Sequence, residues 1–187
     1  MKKTLLLLAM LCFTLVLNAQ DDDDKDKKWP NGIRGGYQLS NLVGGDQGSF
    51  DNFGGFYVGY VRKVKLIPLL RLETGMEYMM AGAQKNGTTL RMNYIVLPAQ
   101  IVLKLGPFFA LAGVNANFDV YQSIETNGTK DKVTGDNKAN TFDVAADGGV
   151  GFNFLFLAAE ARYYWGLTDI KDGYKNQYLQ LGLKLHF

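Results

Sequence analysis

From residue 32 onward, large apolar residues fall on alternate positions, and polar, charged or glycine residues fill the places between them. In the final stretch, Leu179, Leu181, Leu183, Leu185 and Phe187 share one parity, while Gln180, Gly182, Lys184 and His186 share the other. A period of two is the mark of a strand with one apolar and one polar face. The same reading predicts seven earlier strands, over residues 32–40, 53–65, 69–81, 89–105, 108–121, 140–154 and 156–167. The second of these alternates poorly. Pro98 interrupts the fourth, and because proline donates nothing to a ladder it predicts a bulge or local break there.

The connections alternate in length. Lys65 to Pro68, Gly106-Pro107 and the junction at Leu155 are tight, whereas residues 41–52, 82–88, 122–139 and 168–175 are longer and polar. Short turns on one rim and long loops on the other describe an all-β, eight-stranded antiparallel up-and-down transmembrane β-barrel of the outer-membrane type, with the short turns in the periplasm.

Alternation alone leaves open which face meets water, and two further patterns turn the apolar face outward. Gly36, Gly75, Gly113, Gly149, Gly151, Gly166 and Gly182 all lie on the polar parity, as the narrow lumen of an eight-stranded barrel requires, where there is just room for side chains. Aromatics mark both ends of the apolar face. Tyr78, Phe118, Phe142 and Trp165 fall beside the long loops, and Phe108, Phe154 and Phe187 beside the short turns, two girdles for the two membrane interfaces. The polar parity then sends Arg34, Arg71, Glu73, Glu77, Lys104, Glu160, Arg162 and Lys184 into the lumen as an interior charge network. Pairing the last two strands about the centre of their loop sets Glu160 opposite Lys184, to within one two-residue register step.

The N-terminus changes the picture of the mature chain. Residues 1–19 combine a basic start with an apolar run from Leu5 to Leu17 and read as a signal peptide; residues 20–31, with Asp21 to Lys28 wholly charged, read as a periplasmic linker; residues 32–187 are the barrel. The only cysteine, Cys12, leaves with the signal, which excludes a disulfide framework. Of 20 basic and 18 acidic residues, loss of Lys2 and Lys3 leaves 18 of each, a balance that speaks against nucleic acid.

Candidate chemistry is sparse. His186 is the only histidine and has no serine–base constellation beside it, so no catalytic residue, cofactor or metal ligand is assigned. Asp143 and Asp147 share a face and read as part of an interior hydrogen-bond network. Asn86-Gly87-Thr88 and Asn127-Gly128-Thr129 read as turns rather than glycosylation acceptors.

"NYIVLPAQIVLKLG" (Asn93 to Gly106) and "LFLAAEARYYWGLTDI" (Leu155 to Ile170), with the C-terminal strand, resemble the PorT-like outer-membrane β-barrel family of Bacteroidetes. The resemblance implies a barrel in the cell outer membrane, and some members take part in protein secretion. The alternating Leu179, Leu181, Leu183, Leu185 and terminal Phe187 further resemble the signal read by the outer-membrane assembly machinery. The expected partners are outer-membrane lipid, that machinery, and a protein held by loops 41–52 and 122–139. Two other readings stay open: a small porin-like channel, and a soluble periplasmic lipocalin-like ligand-binding barrel.

Overall fold

The computed structural model describes residues 30–44, 51–85, 87–126, 129–132, 140–170 and 173–187. The expected signal peptide and nearly all of the expected linker lie outside these residues. Nine strands follow in chain order: β1 (Asn31–Gly44), β2 (Asp51–Ile67), β3 (Leu70–Lys85), β4 (Thr88–Leu105), β5 (Phe108–Thr126), β6 (Thr129–Lys132), β7 (Phe142–Phe154), β8 (Leu157–Gly166) and β9 (Tyr174–His186). All pairings are antiparallel, and β4 pairs with β5 to close the sheet on itself.

Nine strands make eight barrel positions, because β6 and β7 share the same edge of β5. Strand β7 pairs with Phe108–Phe118, and β6 pairs farther along with Ser123–Thr126. Closure joins the first and last strands: Ile33 pairs with Leu185, Gly36 with Gly182 and Tyr37 with Leu181. Asn31 and Phe187 exchange two backbone hydrogen bonds at the rim of the short turns. A closed sheet leaves no unpaired edge, the condition for crossing hydrocarbon with strands.

Burial is inverted relative to a water-soluble domain. Arg34, Gln38, Glu73, Glu77, Gln100, Arg162 and Lys184 are buried, whereas Ile33, Met76, Leu97, Val114, Val150, Leu181 and Leu183 are exposed on the outer wall. The lumen is tight enough that Gly182 has no room for a side chain: an added Cβ would meet the Tyr57 hydroxyl and the Gly35 carbonyl.

One sequence expectation changes in detail and another narrows. The loops are shorter than expected, since β3 and β4 run to Lys85 and from Thr88, and β1, β2 and β5 extend into residues 41–44, 51–52 and 122–126. Of the bulge or local break expected at Pro98, the local break is what occurs. The β3–β4 register is the same on both sides of it, with Thr74 opposite Ala99 and Glu77 opposite Val96, and the pairing lapses only between those two steps. Bulges occur elsewhere, between Asn52 and Tyr57 on β2 and beside Asn93 and Tyr94 on β4. The latter turns both Val120 and Tyr121 outward.

Candidate functional site

The lumen is filled in two layers. Nearer the short turns sits an ionic layer drawn from β1, β3, β8 and β9. Arg34 donates to Glu73 at 2.8 Å and to Gln100 at 3.1 Å, and its second terminal nitrogen bonds Glu77. Arg162 reaches Glu77 at 3.4 Å and Glu160 at 3.3 Å. Lys184 lies between Glu73 at 2.7 Å and Glu160 at 2.9 Å. Three cations therefore meet three carboxylates, each contacted by at least two opposite charges. Buried ions need such partners, because the desolvation cost of an isolated charge is several kcal/mol or more.

The guanidinium of Arg162 also lies 4.9 Å from the Tyr57 ring and 5.5 Å from the Tyr164 ring. These rings begin the second layer, toward the long loops, where Tyr164 stacks on Tyr178 at 4.2 Å. Met79, Met92, Tyr94, Ile170 and Tyr174 complete a buried apolar cluster there. Between the layers, Asp147 accepts from Gln100 at 2.5 Å and Asn115 at 2.7 Å. Farther out, Asp143 accepts from Thr168 at 2.6 Å and Asn117 at 3.2 Å.

Of the eight interior charges expected from parity, six meet in this layer. Arg71 and Lys104 stand apart: Arg71 is half-buried and Lys104 exposed at the mouth bounded by the short turns. Their parity points inward, yet both lie beyond the last carboxylate, close to the ends of their strands. The expected facing of Glu160 and Lys184 holds to within its one two-residue step. Glu160 pairs with Gly182 and Lys184 with Ala158, so the two side chains meet across one diagonal step.

Sequence reasoning missed Lys63, whose amino group is 3.7 Å from Glu73 and 3.3 Å from His186, and the luminal tyrosines. Strand β2 carries Tyr57 inward and Phe56, Val58 and Tyr60 outward. Large apolar residues on both faces conceal the alternation that would have placed them.

The aromatics expected at the wall's two ends lie on the outer surface: Phe108, Phe118, Phe142, Phe154, Trp165 and Phe187 are exposed, and Tyr78 is half-buried with its hydroxyl donating to Asn93 at 2.7 Å. Phe118 packs on Phe142 and Phe108 on Phe152, each with ring centres 5.2 Å apart.

A family model described as outer membrane protein beta-barrel domain matches residues 18–172. The chain belongs to this family. Two solved barrels share the architecture of this outer-membrane β-barrel. Ail, the attachment invasion locus protein of Yersinia pestis, solved with the heparin analogue sucrose octasulfate, is 17% identical, aligns over 85% of this chain and 99% of its own, and gives a TM-score of 0.54. Neisserial surface protein A is 15% identical over 84% of this chain and 97% of its own, with a TM-score of 0.58. No curated protein sequence matches.

The barrel resides in the cell outer membrane with its apolar wall against lipid. Short turns of such barrels face the periplasm, so the ionic layer lies in the periplasmic half, and the tyrosine layer and the β5–β6 hairpin lie toward the exterior.

Proposed function

We propose that this outer-membrane barrel is a closed, non-catalytic scaffold that presents its outward segments, 41–52 and 122–139, to a protein partner. The observation that carries this reading is the lumen itself, filled by an ionic layer and a tyrosine layer stacked along one axis. Water-filled porins use 16 to 18 strands, about twice the number here. Recognition concentrates on loops held by a rigid scaffold, and β5 extends the scaffold well past the membrane band: it has 19 residues, where about 9–11 suffice to span. Residues 45–50, 127–128 and 133–139 lie outside the described residues.

The likeness to the PorT-like group favours a partner connected with secretion. The C-terminal strand, with Leu179, Leu181, Leu183, Leu185 and Phe187 on the lipid-facing parity, serves as the assembly signal, and the outer aromatics serve as girdles at the two interfaces. Residues 1–19 direct export and 20–31 link the cleavage site to β1.

Planar-bilayer recordings on the refolded protein test the closed lumen. Steady conductance is expected to be absent. Reproducible wild-type channels would revive the porin-like alternative. Replacing residues 122–139 by a short Gly-Ser turn is expected to leave gel heat-modifiability unchanged while abolishing crosslinks to the partner in native membranes.

A further inference from the structure

Charge is spread unevenly along the axis of the lumen. The central layer balances, with Arg34, Arg162 and Lys184 against Glu73, Glu77 and Glu160. Toward the exterior the excess is negative, Asp143 and Asp147 being held by neutral donors. Toward the periplasm it is positive. Lys63, Arg71 and Lys104 line a cleft of about 160 Å³ together with Asn153, His186 and Phe109.

These cations are poorly compensated. Neither the Arg71 nor the Lys104 side chain makes an ion pair or hydrogen bond among the described residues, and Arg71 Nε is buried without a partner. Lys63 reaches Glu73 only at 3.7 Å, and that carboxylate already holds Arg34 at 2.8 Å and Lys184 at 2.7 Å. Strand register explains the convergence. Arg71 stands opposite Lys65 and Val102, while Lys63 stands opposite Glu73, so Lys63 and Lys104 are its diagonal neighbours on either side. Such neighbours sit about 7–8 Å apart at the backbone, within reach of one small ligand between long side chains.

We propose that this periplasmic mouth is a phosphate-binding site. The Arg71 guanidinium suits bidentate capture of two phosphate oxygens, and the Lys63 and Lys104 ammonium groups are placed for the others. The Asn153 amide, which spends one hydrogen on the Pro107 carbonyl, offers its second N–H at the wall, and His186 Nε2 accepts from Lys63 and so orients its ammonium. A dianion there offsets the mutual repulsion of three cations that share a cleft. Leu155, 80% exposed, also lines the cleft, and the exposed Phe154 and Phe156 flank it on the outer wall. The phosphate therefore comes either from the headgroup of an inner-leaflet lipid or from a soluble phosphomonoester.

The single histidine reports on this cleft. The full chain, labelled with ¹⁵N-histidine and refolded in phosphate-free nonionic detergent, is titrated at constant pH and ionic strength with inorganic phosphate, with chloride, and with a short-chain phosphatidic acid. The His186 ring signals are expected to shift saturably with phosphate and to stay unmoved with chloride. The double variant R71Q/K104Q, checked for folding by gel mobility, is expected to bind about tenfold more weakly or worse. Saturation by phosphatidic acid at lower concentration than by inorganic phosphate assigns the site to lipid; saturation at equal or higher concentration assigns it to a soluble phosphate. Absence of a saturable shift with both phosphates, an equal shift with chloride, or unchanged affinity in the double variant overturns the proposal.

Discussion

Lys184 stands between two carboxylates, Glu73 and Glu160, and its removal leaves both short of a counter-charge in the lumen. Lys184→Met is expected to destabilise the barrel by up to about 3–5 kcal/mol, the cost of breaking a buried pair. Adding Glu160→Gln should restore part of that loss and no more, because Glu73 still lacks the lysine. Urea unfolding followed by tryptophan fluorescence measures both, and strictly additive losses would remove the coupling. Parity alone placed Lys184 inside. Its second partner, Glu73, escaped sequence reasoning because it comes from β3, which is not adjacent to β9 and reaches Lys184 only across the closed lumen. Arg71 and Lys104 share the inward parity but lie past the carboxylates, a matter of height along the axis that alternation does not encode.

Within a strand, position along the membrane normal governs what a substitution costs. Leu181 lies six residues before Phe187, which at the usual rise and tilt is about 14 Å above the periplasmic rim and near the midplane. Leu181→Arg should cost about 2–4 kcal/mol, and Leu185→Arg, beside the rim, about 0–1 kcal/mol. Equal costs in lipid-based unfolding titrations would contradict the placement of β9. The β7–β8 turn offers a change of opposite sign. Leu155 is the only described residue other than glycine with positive φ, at 55°, a conformation that costs an L-residue roughly 1–2 kcal/mol. Leu155→Gly relieves it, and a gain of about 1 kcal/mol in the same titration is expected, since glycine also loses more entropy on folding. The tight turn was legible from the sequence, whereas the backbone geometry within it was not. The outer end of β5 was underestimated because Gln122, Ser123 and Thr126 read as loop in isolation and become strand through pairing with β4 and β6.

For the whole molecule, closure of the sheet makes the barrel cooperative: each of the eight barrel strands is paired on both sides, and unfolding must break the β1–β9 ladder of 13 paired positions or another like it. The refolded protein is therefore expected to stay compact in cold dodecyl sulfate and to migrate at a different apparent mass after boiling, with a β-type circular dichroism spectrum before heating. A helical spectrum, or a stable monomer in water without detergent, would contradict the inverted burial. That inversion separates this chain from the soluble lipocalin-like alternative, which would carry its apolar parity inward. Here Leu181, Leu183 and Leu185 face out and Gln180 and Lys184 face in.

Period-two alternation, the spacing of glycines on one parity and the alternation of short and long connections are properties of local residue order. From them alone followed an all-β, antiparallel barrel of eight positions with its apolar face outward, its termini at the short-turn rim and charges in its lumen. Which charges meet was decided by the tertiary structure. Arg34 and Glu73 are 39 residues apart and Lys184 and Glu73 are 111 apart. Their contact depends on the order in which strands close and on the stagger between them, and that stagger is set by bulges and turn geometry spread around the whole ring. The same stagger places three cations below the balanced layer and leaves the periplasmic mouth positive.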